Sequence, residues 1–181
     1  MKKAIARLPS FDDETGNLNV IVETPQGSRI KYAYEPATGL FEMDKMLPSG
    51  MVFPFDFGFI PSTRGEDGDP LDVLVLSEAP LFAGCHVHAQ MVGGLRAEQK
   101  ERDQRVLRND RLIAVPVWPT MPRPPQSIHE IDDKLLLELE SFFVAYNKGE
   151  GREFTVLERM DRKEAEKIVR QSPQRAEKTK K

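Results

Sequence analysis

Between residues 67 and 76 the chain reads Asp67-Gly68-Asp69-Pro70-Leu71-Asp72-Val73-Leu74-Val75-Leu76. Three carboxylates crowd into six residues, and an apolar run follows with no spacer. The run has the length and composition of a buried strand. Any fold for this chain must bury Val73 to Leu76 and hold the acids before it on a rigid rim, where a catalytic site is best built. Like charges at this density repel one another, more strongly in a cleft than in water. A hard divalent cation such as Mg²⁺, Mn²⁺ or Ca²⁺ relieves that repulsion through oxygen ligands. An EF-hand loop does not fit, because its fifth and sixth positions would be Leu71 and Asp72, and the sixth requires Gly. A solvated acidic turn accounts for Asp67 and Asp69 but not for a third acid entering an apolar strand.

The elements around this turn follow from periodicity. Leu18, Val20 and Val22 alternate with Asn19, Ile21 and Glu23, as in a strand. Arg29 to Glu35 puts Lys31, Ala33 and Glu35 on one face and Tyr32 and Tyr34 on the other. Leu40 to Leu47 is a further strand. Phe53, Phe55, Phe57 and Phe59 recur at period two, which predicts an extended segment with one ring-lined face. No basic groove accompanies these rings, so they read as core or pocket wall rather than as a base-stacking platform. Strands are also predicted over 73–76, 86–95 and 112–117, with a late one from Phe154 to Leu157. Leu135, Leu139, Phe142, Phe143 and Tyr146 form an amphipathic helix stripe, opened by Asp132 and Asp133 and closed near Gly149. Asp161 and Glu164 form a capping-box pattern for a short helix to about Arg170. Strands come first, helices last, and no βαβ alternation intervenes. That order predicts a mainly-β α+β fold on a small antiparallel barrel or sheet.

At 181 residues the chain is read as one domain over 1–170 and a basic C-terminal tail over 171–181. The net charge of −3 hides an asymmetry, because residues 170–181 carry five bases and one acid. The remaining body holds 21 bases and 28 acids, which argues against nucleic-acid binding. No apolar run approaches the ~18–20 residues of a membrane span. No secretory h-region opens the chain, and the single Cys85 fits a reducing compartment, so the expected location is cytoplasmic. His86 and His88 share a strand face but lack a third ligand nearby, so a zinc pair is not expected.

Lys31, Lys45, Arg111 and Lys148 supply the bases. Metal together with Lys and Arg forms the usual clamp on a phosphoryl group. No P-loop and no Gly-x-Gly-x-x-Gly fingerprint is present, which argues against a nucleotide cradle.

The stretch Asp67 to Val75 resembles the signature of the soluble type I inorganic pyrophosphatases. Val22-Glu23-Thr24-Pro25, Ile30-Lys31-Tyr32, Gly39-Leu40-Phe41, Gly58-Phe59-Ile60-Pro61, Leu112 to Pro116 and Phe142-Phe143 to Tyr146 follow in that family's order and spacing. The resemblance covers roughly residues 18 to 160. It implies an OB-like five-stranded antiparallel β-barrel with flanking C-terminal helices, a homo-oligomer, and Mg²⁺-dependent hydrolysis of pyrophosphate to two phosphates, with Mn²⁺ as an alternative ion. It also implies that Asp67 and Asp72 hold the metals sharing the attacking water, with Asp69 between them as general base. Glu23 would support a metal or its waters. Lys31, Lys45, Arg111, Tyr146 and Lys148 would bind the phosphates, although Tyr146 could equally be the last core residue of its stripe.

The chain departs from the family pattern in several places. Ala33 stands where the family has Glu, and Glu35, on the same face, lies ~7 Å further along. Lys45 replaces Arg and loses the bidentate fork. Phe57 lacks a Tyr hydroxyl, and Asn147 replaces Lys, with Lys148 one place on. The family's Asp-x-Lys reads Asn109-Asp110-Arg111. Ala97 to Arg108 is read as a long loop, with Glu98 and Asp103 as candidate metal ligands. Two other readings remain: hydrolysis of another phosphoanhydride, such as a nucleotide or polyphosphate, and an OB-like module that binds an anion without turnover.

Overall fold

The computed structural model describes residue 5, residues 8–120 and residues 123–172. The basic tail beyond Ser172 lies outside the described residues. Among the described residues nine strands come in chain order: β1 (Leu18–Thr24), β2 (Ile30–Glu35), β3 (Leu40–Met46), β4 (Asp56–Phe59), β5 (Asp72–Val75), β6 (His86–Lys100), β7 (Val106–Arg108), β8 (Arg111–Pro116) and β9 (Glu153–Met160). Helix α1 (Asp133–Gly149) precedes β9, and α2 (Arg162–Gln171) follows it. No helix among the described residues is long and apolar enough to cross a membrane.

Five strands close into a ring. Their order is β1-β4-β5-β8-β6, and β1 pairs again with β6. This is the expected OB-like barrel with one correction: β5 and β8 run parallel, with Val73 opposite Leu112 and Val75 opposite Ala114. The long connection between them, through β6 and β7, makes that direction possible, since parallel pairs need a crossover. β2 and β3 form a separate hairpin, and β9 extends β6 outside the ring.

Both faces of β5 are covered, which explains its unbroken apolar run. Val73 and Val75 join a core with Val20, Leu112 and Val169 of α2. Leu74 joins a second core with Phe57, Ile113, Leu139 and Phe143 of α1. Strand β6 serves both cores because it bends. Its register with β8 shifts between Met91 and Gly93, and a Cβ on Gly93 would lie 2.5 Å from the Met160 carbonyl oxygen. Only glycine allows that approach.

The residues 97–108 form a hairpin rather than the expected loop. Glu98, Gln99 and Lys100 of β6 pair with Arg108, Leu107 and Val106 of β7. The helix boundaries follow the predicted caps. The Asp132 side chain accepts from the Lys134 and Leu135 N–H groups, and Asp161 with Glu164 completes the capping box. The left-handed residue past α1 is Gly151, not Gly149.

Candidate functional site

The acidic turn hangs between β4 and β5 on hydrogen bonds that fix its shape. The Thr63 hydroxyl, 1% exposed, donates to the Ile60 carbonyl at 2.6 Å and accepts from the Leu71 N–H at 2.9 Å. Inside the turn the Gly65 N–H donates to the Asp69 carbonyl at 2.7 Å, and the Asp69 N–H donates to Asp67 Oδ1 at 3.1 Å. Gly68 sits at φ +93°, a conformation that side chains resist. The three acids therefore hold fixed places at the mouth of the barrel.

Asp67, Asp69 and Asp72 line one wall of a cavity of about 410 Å³. Lys31 and Lys45 face it from the β2–β3 hairpin, Tyr146 and Asn147 from α1, and Gln99, Asn109 and Arg111 from β6 and β8. An adjoining cavity of about 510 Å³ shares Lys31, Asp69 and Asp72 and adds Glu23, Ala33, Tyr34 and Glu35. Lys31 and Lys45 are directly opposite across the hairpin, a like-charge pair that anionic groups must offset. Asp44 lies 3.3 Å from Lys31, and Glu150 lies 2.9 Å from Lys45.

The electrostatics are those of crowded acids. Burial pushes Asp72 up from the usual carboxylate range, with Asp69 adding to it and Arg111 and Lys31 opposing. Burial also raises Asp67, helped by Asp72 and Asp69. Burial takes Glu23 to about 7, although its carboxylate accepts the Tyr34 N–H at 2.7 Å. Burial works against the charge of Lys31, but Tyr146, Asp72, Asp44 and Glu23 outweigh it and hold the lysine above its ordinary value. Arg111 is 5% exposed and lies 5.1 Å from the Phe143 ring and 5.3 Å from the Phe154 ring. Its Nη1 donates to Asp72 Oδ2 at 2.5 Å and to Asn109 Oδ1.

Most of the predicted residues meet here. Asp67, Asp69, Asp72, Lys31, Lys45, Arg111 and Tyr146 share the main cavity, and Glu23 lines its neighbour. The Tyr146 ring packs on Phe53 and Phe142, and the residue also lines the cavity.

Three residues are corrected. Glu98 is exposed and lines neither cavity, because strand alternation turns it away while Gln99 faces in. Lys148 is exposed, and the cavity-lining residue of that turn is Asn147, 1% exposed, which donates to the Phe143 carbonyl at 2.9 Å. Asp103 is likewise exposed and paired with Arg105 at 2.6 Å. Asn109 faces the main cavity, and Asp110 does not line it. The Asp110 carboxylate is held by Arg108 at 2.7 Å and by the Ala97 N–H at 3.1 Å.

Sequence reasoning missed Gln99, Glu101 and Arg152. Glu101 and Arg152 pair at 3.0 Å across more than fifty residues, a distance no local pattern encodes. Gln99 was accessible through strand alternation once Ala97 to Lys100 was read as strand.

The wall of acids suits a divalent cation. Among the described residues no three His, Cys, Asp or Glu side chains converge as they stand on one metal position. Mg²⁺ does not require that, because it binds through one or two carboxylates, waters and ligand phosphates. Asp67 and Asp72 are hard oxygen donors raised first by burial and then by neighbouring acids, Asp67 by Asp72 and Asp69 and Asp72 by Asp69, which is the imbalance a cation removes.

Comparison with known proteins gives the same direction. A family model described as inorganic pyrophosphatase matches residues 20–177. A soluble inorganic pyrophosphatase of Oryza sativa subsp. indica is 37% identical over 177 residues, covering 94% of this chain and 80% of its own. An inorganic pyrophosphatase of Nanoarchaeum equitans is 38% identical over 154 residues, covering 83% and 92%. The crystal structure of the inorganic pyrophosphatase from Thermus thermophilus superposes with a TM-score of 0.81 at 34% identity, covering 92% of this chain and 94% of that one.

Proposed function

The chain belongs to the inorganic pyrophosphatase family, and from that membership we propose that it is an inorganic diphosphatase hydrolysing pyrophosphate to two phosphates with Mg²⁺. The observation that carries this reading is the acidic turn, with Asp67, Asp69 and Asp72 sharing one cavity with Lys31, Lys45 and the Arg111 paired to Asp72. Bound ions, Mg²⁺ or alternatively Mn²⁺, supply positive charge to phosphoryl oxygens and lower the pKa of water. Asp67 and Asp72 are the residues to hold them, with Glu23 in support. The Asp69 carboxylate enters no ion pair among the described residues, so it is available to take the proton of the attacking water. Lys31 and Lys45 receive one phosphate from the hairpin side, and Arg111 and the Tyr146 hydroxyl receive the other.

The phosphate clamp differs from the family pattern at Ala33, Lys45, Phe57 and Asn147, and each lost contact weakens transition-state binding by ~1–4 kcal/mol. Slower turnover than a full clamp gives is the consequence. Ala33 opens onto the 510 Å³ cavity, which favours a second reading in which a larger phosphoanhydride is accepted. Phosphate release from pyrophosphate, a nucleoside triphosphate and polyphosphate, each at millimolar Mg²⁺, separates the two. Pyrophosphate should give the highest kcat/KM, and a higher value for another substrate would replace this reading. Homo-oligomeric assembly, a cytoplasmic location and a single unit over 1–170 with a basic tail complete the proposal, supported by the family resemblance, the single cysteine and the charge distribution.

A further inference from the structure

The β6–β8 wall of the main cavity, which meets the acidic turn where Arg111 pairs with Asp72, carries no uncommitted carboxylate among the described residues. Gln99, 5% exposed, and Asn109 stand side by side there as neutral amides. Asn109 Nδ2 donates to Gln99 Oε1 at 3.0 Å, and Asn109 Oδ1 accepts from Arg111 Nη1. Gln99 Nε2 in turn donates to Glu101 Oε1 at 2.5 Å. Each amide oxygen therefore already accepts one hydrogen bond from within the wall. The acids close by are also committed, Glu101 to Arg152 at 3.0 Å and Asp110 to Arg108 at 2.7 Å. The fixed positive charge between this wall and the acidic turn is the Arg111 guanidinium, which lies against two rings and pairs through Nη1 with Asp72, while its buried Nε lacks a hydrogen-bond partner. An amide carries no charge to offset a divalent ion, and an adjacent guanidinium repels one.

We propose that the Gln99–Asn109 amide pair closes the β6–β8 wall to divalent cations, so that every ion the substrate-free protein takes is held on the Asp67–Asp69–Asp72 side, with the Arg111 guanidinium as the positive charge between that side and the amides. This deepens the pyrophosphatase reading and rests on it. It assigns to this chain fewer ions than the same cavity would hold with carboxylates at 99 and 109. Two carboxylates at those positions, within hydrogen-bond distance of each other, would need a cation between them.

The test counts Mn²⁺ ions bound per chain by equilibrium dialysis without substrate, and follows melting temperature with and without Mn²⁺. Gln99→Glu/Asn109→Asp, isosteric at both positions, should bind one more ion per chain than wild type and gain a larger Mn²⁺-dependent rise in melting temperature. Gln99→Ala should leave the wild-type count unchanged, and Asp67→Asn should weaken binding tenfold or more. If the double variant fails to fold, Gln99→Glu alone is read in the same way. An unchanged count in the acidic variant, or a count that falls in Gln99→Ala, overturns the proposal. Ion counts do not depend on turnover. Absence of phosphate release with the expected counts would sink the reaction and leave the wall assignment standing.

Discussion

At the scale of single residues, the three acids of the turn have different surroundings and so different uses. Asp72 is tied to Arg111, and Asp67 accepts the Asp69 N–H, while the Asp69 carboxylate enters no ion pair among the described residues. Glu23 behaves differently again, with burial taking it to about 7 from 4.5. A carboxyl raised on folding adds stability that is fully present below its unfolded value of 4.5 and lost as pH rises through about 7. In metal-free buffer Glu23→Gln should therefore melt above wild type by a wider margin at pH 8 than at pH 5. Thermal scans at the two pH values check this, and a margin independent of pH would contradict it. Most of these residues were legible because charge and periodicity mark them locally. Glu98 is not legible as outward-facing from a loop reading, because only strand pairing with β7 fixes which of Glu98 and Gln99 faces the cavity. Lys148 was misplaced because a helix turns ~100° per residue, so a base one position late leaves the cavity.

At the scale of elements, the bend of β6 connects the two cores and brings Gln99 and Arg111 to the same wall. Gly93 makes the bend possible. Gly93→Ala would place a methyl against the Met160 carbonyl and Ile128, an overpacking cost of ~1–3 kcal/mol. That corresponds to a fall in melting temperature of roughly 2–12 °C for a chain of this size, and an unchanged melting temperature would refute the argument. Asp161→Ala removes the capping box of α2 and should cost ~1 kcal/mol, read from denaturant midpoints. The caps of α1 and α2 and the inward face of β1 could be read from residues within a few positions of one another. β7 could not, since Val106 to Arg108 is a three-residue strand with no alternation long enough to detect, formed because Glu98 to Lys100 lies beside it. The parallel β5–β8 pair was equally hidden, because strand direction depends on the path of the intervening chain and not on either strand's own residues.

At the scale of the whole molecule, the ring of five strands gathers acids from one turn, lysines from a hairpin and an arginine from β8 around a single cavity. The cost of burying the acids together appears as the raised Asp67 and Asp72, burial acting first and neighbouring acids after it, and a bound cation would offset it. Saturating Mg²⁺ should therefore raise the melting temperature by mass action, ~2.7 kcal/mol at a hundredfold excess over Kd, and chelation should reverse it. A melting temperature indifferent to Mg²⁺ would show that the turn holds no ion. The barrel was legible through the resemblance and the strand-then-helix order, whereas the amide wall emerged only when β6 and β8 were seen side by side. The central claim is that the Asp67–Asp69–Asp72 turn hydrolyses pyrophosphate. Phosphate release by wild type and by Asp69→Asn, measured together at millimolar Mg²⁺, tests it most directly. Wild type should release phosphate, and Asp69→Asn should be slower by ~10²–10⁴-fold with Mn²⁺ binding largely retained. No release by folded wild-type protein, or equal rates for the two, would contradict it.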